Sequence, residues 1–329
     1  MPQINNFPGG FAAGITIRGL PIAVTHPGKV FWVGNATASI SDRQIGASDG
    51  NPGTFDKPFS TLTKAISFCV ANRGDVIMVK PGHAETISVA AGLALNKAGI
   101  AIIGLGVGSK RPTLTWSAAA STVSVVASNM SITNFKFVST MATGFTTVAF
   151  KETNATVAND FMVDNCEFAD SSSTTGFLSH YLGGTTANQS DGLTWTNNKI
   201  YRTLATVTNV VASVVLSAAV ARVNFSDNFI VQKTANNNVA LGVDFGANAV
   251  QNLQMFRNKT HSPNTGTTAG ELMSGGSTTS SGLLADNYSW HLAATGLIAP
   301  VSTKLAFVQN FCSITGAADK SALINPVAV

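Results

Sequence analysis

An asparagine returns at nearly constant spacing through this chain of 329 residues, each time beside a short apolar stretch, at Asn134, Asn165, Asn198, Asn228, Asn258, Asn287 and Asn310. The intervals are 31, 33, 30, 30, 29 and 23 residues. One unit of that length, built of strands, is too thin to bury a core alone and must stack on its neighbours, so the period predicts a solenoid. Length alone would suggest two or three domains, but a stack of coils grows along one axis and escapes that expectation.

Aligning the chain on these asparagines suggests which side chains point inward. The residue after each is Phe135, Cys166, Lys199, Phe229, Lys259, Tyr288 or Phe311, and the third after is Phe137, Phe168, Tyr201, Val231, His261, Trp290 or Ser313. Strand side chains alternate faces, so these two largely apolar columns are expected to face the core together. The residue before each asparagine is never apolar, which places Asp164, Asp227 and Asp286 in one solvent column. The asparagine itself is expected at a bend, where a short amide tolerates an awkward backbone and can bond to the next amide along the axis.

These features predict an all-β fold, a right-handed parallel β-helix with three short strands per coil. Propeller blades need about 40 residues or more, and leucine-rich repeats need several leucines per unit, which these coils lack. A β-sandwich would not need one repeated corner residue.

Outside the repeat, residues 1–55 read as an extended arm and a loop, 56–315 as the β-helix and 316–329 as a tail. The arm carries Phe7, Phe11, Ile15, Ile17, Leu20 and Ile22 among glycines and prolines, without regular period. It cannot fold alone and is expected to attach to another surface. Leu62, Ile66 and Cys69 or Val70 share one helical face, predicting a helix over 59–71 that caps the stack. Strands are expected over 75–80, 85–90, 100–104 and 113–116, with Gly104 at the corner preceding Asn134 by one coil.

Composition narrows the function classes. Charged residues are only 11% of the chain against 45% hydrophobic, so Asn, Ser, Thr and Gly must dress the surface. The net charge of +4 comes from scattered residues, whereas nucleic-acid binding wants a clustered basic patch. Cys69, Cys166 and Cys312 are odd in number and lack CxxC spacing, which suggests free buried thiols. The first residues show no secretory signal and no segment reaches a membrane span, so synthesis and release in a cytoplasm are expected.

Signals for chemistry are sparse. Asp160, Asp164 and Asp227 are the candidate catalytic carboxylates, with Arg257 one coil after Asp227 as the basic residue evident beside them. Carboxylates a whole coil apart would lie about 10 Å from each other, beyond the roughly 6.5–9.5 Å of an inverting glycosidase. The five histidines lack metal-ligand spacing, and His83 with Glu85 has no visible third ligand, so no metal and no cofactor are expected. His180-Tyr181-Leu-Gly-Gly184 reads as an exposed loop, and His261 as part of the aromatic column. The glycines of 104–108 lack the Lys-Ser/Thr ending of a phosphate loop.

Three segments carry a resemblance: Phe31-Trp-Val-Gly-Asn35, Gly53-Thr-Phe-Asp-Lys-Pro-Phe-Ser-Thr-Leu-Thr-Lys-Ala-Ile66, and Gly74-Asp-Val-Ile-Met-Val-Lys-Pro-Gly-His-Ala-Glu-Thr86. Together they resemble the start strand, capping helix and first coil of pectin-lyase-like right-handed β-helix proteins, with His83-Ala84 a departure from the common pattern. The lyases of that family carry an aspartate cluster for calcium with a catalytic Arg or Lys, and its hydrolases carry closely set aspartates with a histidine. Neither constellation is evident here.

Viral members of the family are commonly virion parts, often trimers. The resemblance therefore implies a bacteriophage virion protein, a capsid decoration or cement protein that stabilises the particle without catalysis and joins the major capsid protein through the arm. The alternative it implies is a tailspike or tail-fibre component, or a polysaccharide lyase or glycoside hydrolase acting on surface glycans. A homotrimer in the virion and a surface polysaccharide are the partners expected, with no nucleic acid and no membrane.

Overall fold

The structure, a computed structural model, describes residues 16–17, 20–21, 28–35, 46–141, 146–153, 157–172, 174–203, 212–233, 242–262, 272–291, 304–313 and 322–324. Three sheets run the length of a parallel β-helix. Ten strands form the first sheet, from Val30–Val33 through Ala101–Gly104, Leu193–Thr196 and Leu253–Phe256 to Lys304–Val308. A second sheet, also of ten, runs from Ala84–Ile87 through Lys136–Ser139 and Lys199–Arg202 to Ala322–Ile324, and a third of seven runs from Leu93–Leu95 to Met273–Ser274. Successive coils pair in parallel, as Ile132 with Val163, Val163 with Trp195 and Trp195 with Phe225. Val30–Val33 already belongs to the stack, pairing with Val76–Val79.

Inward side chains explain why the strands are so short and apolar. Most first-sheet strands alternate buried and solvent-facing positions, as in Val76–Val79 and Leu193–Thr196, so one face of these coils feeds a continuous core. The middle coils fill it with rings. Phe168 meets Phe137 at 4.8 Å between centroids, Trp195 at 5.2 Å and His180 at 4.7 Å, while Trp116 meets Phe137, Phe150 and Phe177 edge-on. The edge-on and stacked contacts are those that ring quadrupoles favour.

The helix is shorter than expected, Leu62–Phe68, because Thr61 caps it and its side chain accepts from the Lys64 amide at 3.1 Å. Glu85 accepts from the Leu62 amide, which satisfies another first-turn donor. Leu62, Ala65 and Ile66 are buried, so the helix lays its apolar face against the start of the stack.

The corner between first and second sheets corrects the inferred interior. Lys136, Glu167, Lys199, Phe229, Lys259, Tyr288 and Phe311 are mutually in register. One place earlier therefore come Phe135, Cys166, Asn198, Asn228, Asn258, Asn287 and Asn310, all buried. Two places earlier come Asn134, Asn165, Asn197, Asp227, Arg257, Asp286 and Gln309, all left-handed with φ between 48° and 63°. The asparagines thus occupy two columns: Asn134 and Asn165 make the bend, and the other five sit one residue further on, inside. After Asn134 and Asn165 the +1 and +3 residues do face the core. From Asn198 onward they face outward, and Phe229, Tyr288 and Phe311 are 40–46% exposed.

Inside, the five asparagines form a hydrogen-bonded column. Asn228 Nδ2 donates to Asn258 Oδ1 at 3.0 Å, Asn258 Nδ2 to Asn287 Oδ1 at 2.9 Å, and Asn287 Nδ2 to Asn310 Oδ1 at 2.8 Å. Each side-chain oxygen also accepts the backbone amide of the preceding asparagine, as for Asn228 N to Asn258 Oδ1 at 3.1 Å. The second amide hydrogen reaches a first-sheet carbonyl, Trp195, Phe225, Met255 or Leu284. Cys166 fills the same column one coil earlier, and its amide donates to Asn198 Oδ1 at 2.9 Å. Burial pushes the Cys166 thiol up to about 12, so it stays a thiol. Cys69 is also free and buried, while the side chain of Cys312 lies outside the described residues.

His180 to Gly184 is not an exposed loop. Phe177–Leu182 is a strand of the third sheet, and His180 and Tyr181 are buried. Burial lowers the pKa of His180 well below the usual imidazole range, with the Arg202 charge adding to the effect, so the ring is neutral. Tyr181 donates to buried Glu152, which also accepts from Ser190 Oγ at 2.7 Å and the Gly184 amide at 3.1 Å.

Desolvation raises the Glu152 carboxyl to about 6 in spite of these bonds. The folded chain therefore holds this proton more tightly than the unfolded chain, and stability falls as pH rises from about 4.5 to about 6, then levels. Glu152→Gln is expected to remove that slope, on the order of 2 kcal/mol across the window. Urea unfolding at pH 4.5 and 6.5 measures it; equal slopes in both proteins would show that Glu152 does not titrate there.

Candidate functional site

The outer face of the first sheet changes character along the rod. Its early coils present Ala101 and Ile103, whereas Thr194, Asn224 and Gln254 stand in register on the outside of three later coils. They floor a recess of about 300 Å³ whose other walls include Asp160, Arg222 and Asn252. Hydroxyl and amide groups both donate and accept, so this floor can meet ligand hydroxyls in either sense.

One edge of the recess is an ionic cluster at the turn entering the first sheet. Arg222 Nη2 lies 3.0 Å from Asp160 Oδ1 and 2.8 Å from Asp191 Oδ2, which places those two oxygens within about 6 Å of each other. Asp191 is fully engaged: its Oδ1 accepts the Ala221 and Arg222 amides at 3.0 and 2.6 Å, and its Oδ2 accepts Arg222 Nε at 3.0 Å. Bonding to Asp191, with Asp160 nearby, raises the Arg222 pKa, so the guanidinium is a fixed cation. Asp160 is less encumbered, with 41% of its side chain exposed against 13% for Asp191. It sits at φ 56°, a left-handed corner that Asp can adopt. Gly192 beside it has φ +77°, and an added Cβ would lie 2.1 Å from Asp160 Oδ1, so the cluster requires glycine there.

The far end of these strands, outside the recess, lies about 13 Å away, four residues on. Asp164 accepts from Thr196 Oγ1 and Asn197 Nδ2, each at 2.7 Å. One coil further, Arg257 makes a two-bonded fork to Asp227, both contacts 2.7 Å. These bonds engage both carboxylates at the corner.

Of the three candidate carboxylates, Asp160 lines the recess, while Asp164 and Asp227 stand outside it at the other end of the strands. Asp164 is not in the column of Asp227: it pairs with Thr196, while Asp227 aligns with Asn197 and Arg257. The one-residue shift of the asparagines caused that error. Asp191 and Arg222 were not singled out from sequence. The signal was present, since Asp160, Asp191 and Arg222 are 31 residues apart in turn, but it lies in the turns rather than in the asparagine frame. His83 meets Glu85 at 3.3 Å on the capping end, where Glu85 serves the helix. Among the described residues no three His, Cys, Asp or Glu side chains converge as metal ligands, and no helix is long and apolar enough to cross a membrane.

No protein-family model matches the sequence, and no curated protein matches it significantly. Among solved structures the fold is similar to a chain described as a rhamnogalacturonan lyase, with 15% identity, a TM-score of 0.48, and coverage of 86% of this chain and 87% of that one. The likeness is one of fold, in keeping with the right-handed β-helix of pectin-lyase type. That chain is described as a lyase and not as a virion component, so the comparison lends nothing to the expectations of a non-catalytic bacteriophage capsid decoration or cement protein and of a chain that is not an enzyme, and neither is carried further. That expectation leaned on an arm whose residues Phe7, Phe11, Ile15 and Ile22 lie outside the described residues, with Ile17 and Leu20 described only as backbone of a two-residue strand pair.

Proposed function

We propose that the chain acts on a polysaccharide seated across the outer face of the first sheet, with Asp160 as the group that gives or takes a proton at the glycosidic linkage. The observation that carries this reading is the recess itself: a floor of Thr194, Asn224 and Gln254 beside one carboxylate, Asp160, that pairs with Arg222 through Oδ1 and stays 41% exposed. Asp191 spends all its acceptor capacity on Arg222 and two amides, so it positions the guanidinium rather than reacting. Arg222 in turn holds Asp160 at the edge of the floor. Two carboxylates around one guanidinium leave the cluster net negative, which favours a glycan segment without its own negative charge at that point.

The test is product release from a panel of polysaccharides, followed both as reducing ends and as unsaturated ends. Asp160→Asn keeps the size and the bond to Arg222 but removes the proton exchange, and is expected to lower turnover at least about 100-fold. Binding of the same glycan should change little. Turnover unchanged in Asp160→Asn, or none from any glycan, would defeat the assignment.

A further inference from the structure

We infer that the outer face of the second sheet, from Lys199 to Phe311, is a separate binding track for an anionic glycan. Two columns make it. The first reads Lys199, Phe229, Lys259, Tyr288 and Phe311 up successive coils, and the second reads Tyr201, Val231, His261 and Trp290.

Phe229, Tyr288 and Phe311 are 40%, 46% and 44% exposed, and His261 lies flat on Trp290 with centroids 4.2 Å apart and planes 10° from parallel. Lys233 adds a cation at the strand end, 5.5 Å from the Tyr201 ring. The five second-sheet strands from Lys199–Arg202 to Asn310–Ser313 contain neither Asp nor Glu. Among the described residues, the acids bordering this face are Glu167, paired with Lys136 at 3.1 Å, Asp170, which accepts the Thr203 amide at 2.8 Å, and Asp227 and Asp286 at the corner before it, Asp227 being held by Arg257 at 2.7 Å. Lys199, Lys233 and Lys259 are exposed.

Charge and shape point to the same ligand. Ring faces offer an apolar surface to the C–H face of a sugar, and lysines two coils apart, about 10 Å, repeat along the axis like the carboxylates of a polyuronate. The face of the first sheet has the opposite character, with Asp160, Asp164 and Asp227 at its edges. A second copy of the chain is a poor occupant, since the lysines that interrupt the rings would meet like charge or lose water without a partner. A single-stranded nucleic acid wants a denser run of cations than three lysines supply.

The experiment is affinity electrophoresis of the full chain in gels containing polygalacturonate, a neutral dextran or neither, with competition by a single-stranded oligonucleotide, alongside sedimentation of the free protein. Polygalacturonate should retard the chain and dextran should not, and added salt should weaken the retardation. K199E/K259E and F229A/Y288A should each lose it at least tenfold, while K57E/K110E, with the same change of charge elsewhere, should keep it. D160N should also keep it, which separates this track from the catalytic reading. Retardation that survives K199E/K259E, tighter binding to the oligonucleotide than to polygalacturonate, or a self-associated wild type that F229A/Y288A turns into monomers would overturn the inference.

Discussion

Asn258→Ala is expected to cost the fold about 2 to 6 kcal/mol, because two buried groups each lose a hydrogen-bond partner and each such loss costs about 1 to 3 kcal/mol. Asn258 Oδ1 accepts the Asn228 amide, and its Nδ2 donates to the Phe225 carbonyl at 2.7 Å. Neither group faces water, since Asn228 and Phe225 are 1% and 0% exposed. The neighbouring amides suffer less, because Asn228 Nδ2 keeps Trp195 O and Asn287 Oδ1 keeps the residue 258 amide. Asn165→Gly is the control, because Asn165 sits at φ 50°, a left-handed corner that glycine adopts without strain and alanine does not. Its side chain is exposed and reaches Asn134 at 3.4 Å, so its loss should cost under about 0.5 kcal/mol. Urea unfolding of the two variants decides the matter, and equal midpoints would mean that the buried amides are not what holds these coils in step.

Phe168→Ala should be comparably damaging, about 3 to 5 kcal/mol, because it opens a cavity among rings that cannot collapse into it. Phe168 is 0% exposed and touches Phe137, Trp195 and His180 from three successive coils. Phe229→Ala, one coil after Trp195 but on the outside, removes as many atoms from a site that is 40% exposed and should cost far less. Thermal unfolding followed by near-ultraviolet dichroism reports both the stability and the ring environment. Similar losses for the two phenylalanines would contradict the inside and outside faces described here.

The solenoid and its capping helix were legible because the period and the helical spacing of Leu62 and Ile66 are local signals, whereas Val30–Val33, assigned to the arm, entered as a start strand through the resemblance alone. The facing of the later coils was not. Asn197 and Asn198 are adjacent, and either continues the series, so the 33-residue interval looked like an ordinary variation while the pattern moved by one residue. In a strand, one residue reverses every side chain. The reading held for Phe135, Phe137, Cys166 and Phe168 and inverted for Lys199 onward, although lysines at two inward positions were a warning. For the site, Asp160 was legible as a carboxylate near the wall, but its partners were hidden. Asp191 and Arg222 belong to turns, where no alternation constrains them, and only parallel stacking brings residues 31 apart into contact.

The amide column has a meaning for how such a chain can change. Asn258 and Asn287 each give and receive the same bonds, so the top of one turn is chemically the same as the top of the next. A whole turn could be duplicated or deleted there with every donor still finding an acceptor. The rod can therefore lengthen or shorten by about 30 residues at a time through recombination, without inventing a new interior.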